Sequence, residues 1–301
     1  MTEKLAQRMP CYKSSLESKE AMYGTAPRVD AWFLLEYRGH WSGKAYKDSK
    51  IPKAVKSFLN KELKALPNSR LQLIKKHENR HKQLKFYLAV SHETDPRLYE
   101  FRLNNYKDLL SLNIKKILKS EEHISNEKIF ILCTNGEYDR CCGKLGMPVY
   151  LDIAGGKYGT QTWETNHIGG HRFASTFVCF PDGLVYGRVR EGKAAEELIK
   201  QYENGEVNIS SYRGRSCHKN EVQAAEYYLR EKTGVSEISA FIFNNSKKDA
   251  KKYTVDFLSQ SDNKTQRIKI RRDKNAVKII KSCGDKDSSI PQYTLLDHRV
   301  L

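Results

Sequence analysis

Two cysteines and two histidines lie close together in the sequence and are the side chains best suited to chemistry. Cys133 precedes Cys142 by nine residues, and His167 precedes His171 by four. Two thiolates and two imidazoles make a tetrahedral S2N2 ligand set, which suits zinc or an iron–sulfur cluster. The histidine spacing occurs in zinc fingers, but the two glycines between them favour a tight loop over a helix. The sequence therefore predicts a metal site and leaves zinc and iron–sulfur open.

Cys141, directly before Cys142, leaves the choice of the second thiolate open. Neighbouring side chains at the start of a helix point in different directions, so we expect only one of the two to ligate. A single buried cysteine is usually a small hydrophobic residue, and a single histidine is usually a hydrogen-bonded polar one. Four such residues beside glycines in one stretch are less easily explained in that way.

Two classes of enzyme fit the sequence less well than a metal protein. A thiol redox enzyme is disfavoured because Cys141 and Cys142 are adjacent and lack the Cys-x-x-Cys spacing. A hydrolase is disfavoured because the sequence has no Gly-x-Ser-x-Gly elbow and no glutamate between His167 and His171.

A repeated order of strands and helices is predicted to position these residues. The second half has predicted strands at 128–133, 161–165, 172–180 and 184–189 and helices at 142–153 and 194–202. The first half has predicted strands at 31–35, 71–75, 84–91 and 98–103 and helices at 52–66 and 106–118. Each half therefore has the order β-α-β-β-β-α, which is typical of a thioredoxin-like fold.

We therefore predict an α/β protein with an α+β mixed sheet, built from tandem thioredoxin-like domains plus a small C-terminal α/β cap. The predicted segments are a mobile polar N-terminal arm with Cys11 (1–25), a degenerate thioredoxin-like domain (26–124), a metal-binding thioredoxin-like domain (125–206) and a C-terminal helix plus antiparallel sheet (207–301). The strands of the last segment are predicted at 238–243, 252–258, 267–271 and 277–282. Whether the tail at 293–301 is ordered is left open.

The first half lacks the predicted ligands. Glu36 stands where Cys133 stands in the second half, and no cysteine follows in the next loop. His77 and His81 are spaced like the second histidine pair but have no glycines between them. We predict that these histidines are surface residues that hold no metal.

The charge of the chain predicts acidic partners. Lys and Arg number 53 against 36 Asp and Glu, so the net charge is 53 − 36 = +17. No apolar run approaches the roughly 18 residues of a membrane span, and the first residues carry no apolar leader segment. Seven cysteines, an odd number, suit a reducing compartment. We expect a cytoplasmic protein that binds no membrane and has no nucleic-acid partner; its oligomeric state is open.

Several arginines near the predicted site are assigned roles from the sequence alone. Arg172, Arg188 and Arg190 are expected to face an acidic redox partner or reductase. Arg213 and Arg215, on either side of a glycine, are interpreted as a solvated basic turn rather than an anion site.

Several segments of the chain closely resemble the sucrase/ferredoxin-like family. The segments that carry the resemblance are 133–143 (CTNGEYDRCCG), 167–174 (HIGGHRFA), 180–188 (FPDGLVYGR), 24–28 (GTAPR), 34–36 (LLE), 213–216 (RGRS) and 223–226 (QAAE). The likeness covers nearly the whole chain from about residue 22. It is most specific between residues 133 and 188.

The resemblance implies a thioredoxin-like ferredoxin domain with one 2Fe-2S cluster. Cys133 and Cys142 would be the thiolate ligands, and His167 and His171 the imidazole ligands. Cys142 is preferred over Cys141 because it directly precedes Gly143, as the family's ligand cysteine does.

The function that the resemblance implies is electron transfer or redox sensing, by an electron carrier rather than a stand-alone enzyme. No catalytic residues are assigned, because no paired carboxylates support a sucrase activity. Cys11, Cys179 and Cys283 are predicted to be unnecessary for the cluster. The alternative is a zinc-stabilised scaffold or binding protein with a basic docking face.

Overall fold

Two β-sheets form the framework of the protein in a computed structural model, which describes residues 9–77 and 82–301. Among these residues the larger sheet contains β1 (Ala31–Glu36), β2 (Ser69–Lys75), β3 (Leu84–Val90), β4 (Arg97–Leu103), β5 (Ile129–Cys133), β6 (Thr162–Thr165), β7 (Phe177–Phe180), β8 (Leu184–Tyr186) and β9 (Tyr212–Arg215). The smaller sheet contains β10 (Phe241–Asp249), β11 (Lys252–Ser259), β12 (Thr265–Ile280) and β13 (Asp287–Val300). The α-helices are α1 (Cys11–Glu17), α2 (Ala45–Asp48), α3 (Lys53–Ala65), α4 (Ile114–Ile117), α5 (Arg140–Ala154), α6 (Gly192–Glu203) and α7 (Asn220–Thr233).

The two halves of the larger sheet have the same strand arrangement. In the first half β1 pairs in parallel with β2 and antiparallel with β3, and β3 pairs antiparallel with β4. In the second half β5 pairs in the same senses with β6 and β7, and β7 pairs with β8. The predicted mixed α/β architecture is therefore confirmed, and the two halves of its larger sheet repeat one strand arrangement.

An antiparallel contact between β2 and β6 joins the halves into one continuous sheet. Ile74 lies opposite Thr165, and Lys75 lies opposite Glu164. The first half therefore adjoins the loop that follows β6, which carries the predicted histidine ligands.

Alternation along β5 decides which way Cys133 faces. All five residues of this strand are buried, and successive side chains of a strand point to opposite faces of the sheet. Phe130 and Leu132 pack against the apolar sides of α5 and α6. Cys133 shares the other face with Ile131, and there it meets Cys142 from the start of α5.

The C-terminal segment forms the predicted antiparallel sheet, with longer strands than predicted. β12 is continuous over the stretch predicted as two strands, and β13 includes the tail whose order was left open. Buried and more exposed side chains alternate in the first half of β12, as in a sheet with one solvated face. β9, inside the segment 207–301, pairs with β8 in the larger sheet.

The prediction of a mobile polar arm is wrong for the residues that form α1. Cys11 is fully buried at the start of this helix, and Ser15 is buried beside it. Arg188 donates hydrogen bonds to the Ser15 hydroxyl and to the Glu20 carbonyl. Polar residues are therefore buried here through partners remote in sequence, which local composition does not reveal.

Two further predicted elements are shorter than expected. The helix predicted at 106–118 is a 3-10 turn at Tyr106–Ser111 followed by α4, because Asn105 and Asn113 cap separate segments. The strand predicted at 172–180 begins only at Phe177, since 171–173 form another 3-10 turn. None of the helices in the described residues combines the length and apolar character needed to cross a membrane.

Candidate metal centre

The N-terminus of α5 places Cys142 beside the end of β5. Asp139 caps this helix, because its side chain accepts a hydrogen bond from the Cys141 backbone N–H at 2.8 Å. The Cys142 N–H donates to the Asp139 carbonyl at 3.0 Å. The helix therefore starts at Arg140, two residues before the cysteine predicted to open it.

Glycines let α5 approach the strand end closely. A Cβ on Gly146 would overlap the Cys133 carbonyl oxygen, and a Cβ on Gly143 would lie 2.8 Å from Gly136 Cα. Both clashes involve backbone atoms, which cannot move aside as a flexible side chain could. The glycine after Cys142 is thus required by packing between the helix and the loop that follows Cys133.

The histidine loop is held by arginines from both halves of the sheet. Arg70 on β2 donates to the His167 carbonyl at 2.8 Å, and Arg213 on β9 donates to the Gly169 carbonyl at 3.0 Å. Gly169 and Gly170 have φ values of 114° and 77°, a region that favours glycine. The two glycines between the histidines therefore form the tight loop that the sequence predicts.

Three of the four predicted ligands have their donor atoms together. The sulfurs of Cys133 and Cys142 and a ring nitrogen of His167 all lie within 4.8 Å of one another. Cys142 Sγ lies 3.7 Å from His167 Nδ1. Both cysteines are about 1% exposed. The arrangement offers two thiolates and one imidazole to a soft metal ion.

His171 lies beside this group but outside it. Its ring centroid is 5.1 Å from that of His167. Its Nε2 donates to the Lys281 carbonyl at 2.6 Å, and its buried Nδ1 has no hydrogen-bond partner among the described residues. Burial lowers the pKa of His171, which favours the neutral imidazole that can ligate a metal.

Tyr138 covers the histidine side of the group. Its ring stacks on His167 with centroids 3.7 Å apart and planes 10° apart, and the residue is 47% exposed. A groove of about 300 Å³ next to it is also lined by Lys44, Lys47 and Arg70. The histidine side of the group is therefore its solvent-facing side, and the cysteines lie behind it.

A hydrogen bond between the two buried thiols of this group separates their pKa values. A hydrogen bond from Cys142 lowers the pKa of Cys133 well below its usual value and raises that of Cys142. The Ile168 backbone N–H also lowers the pKa of Cys133. Cys133 is thus set up as a thiolate, the form that binds metals.

Cys141 belongs to a different group of side chains. Its sulfur lies 3.3 Å from that of Cys11 and 3.2 Å from that of Cys283. The hydrogen bond from Cys11 lowers the pKa of Cys141 to about 7 and raises that of Cys11. Of the two adjacent cysteines, Cys142 is therefore the one beside Cys133 and His167.

The family model described as sucrase/ferredoxin-like matches residues 22–214, which is more than half of the chain. The chain belongs to the sucrase/ferredoxin-like family. The matched region includes all four predicted ligands, Cys133, Cys142, His167 and His171, and ends just after Arg213. Comparisons with curated proteins and with solved structures gave no significant match.

The counterpart positions in the first half of this sucrase/ferredoxin-like chain carry no thiols. Glu36, at the end of β1, accepts hydrogen bonds from Arg38 and from the Lys85 backbone N–H, both at 2.8 Å. His77 is exposed, as predicted, and its backbone N–H donates to the Tyr150 hydroxyl. His81 lies outside the described residues.

The interpretation of Arg213 and Arg215 as a solvated turn is wrong. Both side chains are 2% exposed on β9 and donate to backbone carbonyls, Arg213 to Gly169 and Thr25 and Arg215 to Glu93. Burial lowers the pKa of Arg213 to about 9. In the sequence, only their place in the Arg-Gly-Arg-Ser motif pointed to these buried hydrogen bonds.

The arginines expected to face a partner instead hold the N-terminal segment. Arg172 pairs with the buried Glu20 at 2.7 Å. Arg188 donates to the same segment, and Arg190 lies over the Tyr12 ring. These guanidinium groups are half-buried and engaged within the chain. Lys44 and Lys47 are exposed cations that line the groove next to the candidate metal centre.

Proposed function

We propose that Cys133, Cys142, His167 and His171 bind one 2Fe-2S cluster and that the protein acts in electron transfer or redox sensing. The observation that carries the proposal is the meeting of two buried sulfurs and a histidine nitrogen within 4.8 Å. Membership of the sucrase/ferredoxin-like family supports iron–sulfur over other soft metals.

The donor set fits such a cluster chemically. Thiolates and imidazoles are the ligands of histidine-ligated 2Fe-2S centres. The buried Nδ1 of His171, which has no hydrogen-bond partner among the described residues, supplies the remaining lone pair. Its Nε2–H is held by the Lys281 carbonyl, and such an outer contact fixes the ring of a ligating histidine.

A bound cluster of this type would accept and release one electron, at a potential raised by the exchange of two thiolates for neutral imidazoles. The protein residues exclude water from the cysteine side, where Cys133 and Cys142 are almost fully buried. On the opposite side, the half-exposed Tyr138 lies against His167. Electrons would therefore enter or leave by the histidine side.

The groove beside Tyr138 is the surface that fits an acidic redox protein or reductase. Lys44 and Lys47 are exposed there, and the chain carries a net charge of +17. Complementary charge speeds the encounter of redox partners. None of the seven cysteines, all of them among the described residues, is in a disulfide, which suits a reducing compartment such as the cytoplasm.

Anaerobic purification followed by a visible spectrum and iron and sulfide analysis tests the proposal. We expect a red-brown protein with about two iron and two sulfide ions per chain, whose colour bleaches on reduction. A colourless protein that holds zinc through Cys133 would contradict it. That result would favour a zinc-stabilised scaffold with a basic docking face.

A further inference from the structure

Three thiols from distant segments meet on the side of α5 away from Cys133. Cys11 opens α1, Cys141 lies in the first turn of α5, and Cys283 lies between β12 and β13. The sulfur–sulfur distances are 3.3 Å for Cys11–Cys141, 3.2 Å for Cys141–Cys283 and 3.6 Å for Cys283–Cys11. The sulfurs therefore form a compact triangle assembled from both ends of the chain.

A buried carboxylate completes this group. Asp139 is 4% exposed, and its Oδ1 lies 3.8 Å from Cys11 Sγ. One donor atom from each of the four residues lies within 4.8 Å of the others. Hydrogen bonds from the Cys141 N–H, the Cys283 N–H and the Ser282 hydroxyl orient the carboxylate.

Apolar packing does not account for this combination. A cysteine that serves only as a small hydrophobic residue needs no carboxylate beside it, and burying that charge is unfavourable unless it is compensated. Among the described residues, the ionisable nitrogen closest to Asp139 is His171 Nε2, at 3.9 Å from Asp139 Oδ2, and it already donates to the Lys281 carbonyl. A divalent cation would compensate the charge of the whole group.

We propose that Cys11, Cys141, Cys283 and Asp139 bind a zinc ion at a site separate from Cys133, Cys142 and His167. Zinc takes four tetrahedral ligands, with Zn–S near 2.3 Å and Zn–O near 2.0–2.2 Å, so its sulfurs lie about 3.8 Å apart. The observed triangle needs to open only slightly to reach that spacing. On binding, the thiols release their protons to solvent and no electron is transferred.

Two of the four proposed zinc ligands lie outside the matched family region, whereas Asp139 and Cys141 lie within it. Cys11 precedes residue 22, and Cys283 follows residue 214. Four protein ligands and little exposure are typical of a structural zinc site, which has no open position for substrate. Zinc would fasten α1 and the β12–β13 hairpin to the start of α5. The hairpin already contacts α1 through the hydrogen bond from the Ile280 N–H to Ser14 Oγ.

Zinc and iron analysis on the same purified full-length protein tests this inference. We expect about one zinc per chain, retained in competition with a moderate chelator. Cys283→Ser and Cys11→Ser should lose zinc and keep iron, whereas Cys133→Ser should lose iron and keep zinc. Cys217→Ser is the matched control, since Cys217 belongs to neither group of ligands, and it should keep both metals.

Cobalt substitution gives a readout of the ligands themselves. Co²⁺ loaded into Cys133→Ser should show a sulfur-to-cobalt charge-transfer band that weakens when Cys283→Ser is added. Cys283 is on a partly exposed turn, so circular dichroism should show that this variant folds. Zinc-free protein with full iron, zinc that survives Cys283→Ser, a Cys11–Cys141 disulfide in freshly purified protein, or iron in place of zinc would each overturn the assignment.

Discussion

At the scale of single residues, the adjacent Cys141 and Cys142 serve two different groups. Successive residues in the first turn of a helix point about 100° apart, so one sulfur faces Cys133 and the other faces Cys11. The sequence predicted that only one of the pair would ligate the cluster, and the resemblance favoured Cys142, but no sequence signal predicted the group that Cys141 joins. The Asp139 cap decides this by fixing where α5 begins.

Serine substitution separates the two cysteines. Cys142→Ser should sharply reduce bound iron and sulfide. Removing a residue that only hydrogen-bonds to a metal ligand typically lowers metal affinity by roughly 10–100-fold, and we expect loss of a ligand itself to cost at least as much affinity. Cys141→Ser, Cys11→Ser and Cys283→Ser should retain both. Iron and sulfide analysis of anaerobically purified variants measures this, with Cys179→Ser as a further control. Iron lost from Cys141→Ser and kept in Cys142→Ser would show that Cys141, and not Cys142, is the cluster ligand.

Arg213 is a positioning residue for the histidine loop. Arg213→Lys removes the planar fork that reaches the Gly169 and Thr25 carbonyls. Loss of such buried hydrogen bonds should lower the free energy of unfolding by about 1–3 kcal/mol and speed release of iron to a chelator. Arg102→Lys, at an exposed position of β4, is the matched control. Equal iron-release rates in the two variants would contradict this role.

At the scale of elements, the contact between α5 and the end of β5 is what brings the thiols together. Gly146→Ala forces a methyl group against the Cys133 carbonyl. Overpacking of this kind typically costs about 1–3 kcal/mol, and here it should also lower iron content by moving the helix. Gly155→Ala provides the control, because its Cβ would make ordinary contacts, the nearest at 3.6 Å. Thermal melts and iron analysis compare them; a Gly146→Ala protein that matches the wild type would rule out the close-packing argument.

The strand, helix and loop around the candidate centre were largely predictable from the sequence, whereas the buried polar residues that hold them in place were not. The apolar run ending at Cys133, the helix start and the Gly-Gly loop each have a local signature in the sequence. Ser15, Glu20 and Arg213 are polar, and their local sequence predicts surface positions. They are buried because their partners come from remote strands and segments. Single-sequence periodicity does not contain that pairing.

At the scale of the whole molecule, the half without thiols contributes to the candidate centre in the other half. The β2–β6 contact brings Arg70 to the His167 carbonyl. The same half supplies Lys44 and Lys47 at the groove. The sequence predicted a degenerate half without the metal ligands. It gave no register for the β2–β6 contact, on which these positions depend.

Charge reversal in the groove tests docking at this surface. The double variant Lys44→Glu and Lys47→Glu should slow reduction by an acidic flavodoxin, because exposed charges act over about 10 Å at 0.1 M salt. Lys61→Glu with Lys64→Glu makes the same charge change on α3, where both lysines are exposed, and should slow it less. Stopped-flow rates at several salt concentrations compare them. Equal reduction rates in the two double variants would show that the partner does not dock at this groove.

The ligand set itself is tested most directly by pulsed electron paramagnetic resonance of the reduced protein. Two directly bound imidazoles should give two strongly coupled nitrogen nuclei, since ligand nitrogens share the unpaired spin of the reduced iron. In His171→Cys only the nitrogen coupling from His167 should remain, and in His167→Cys only the coupling from His171. A reduced iron–sulfur signal without strong nitrogen coupling, or one unchanged in both variants, would contradict a cluster held by Cys133, Cys142, His167 and His171.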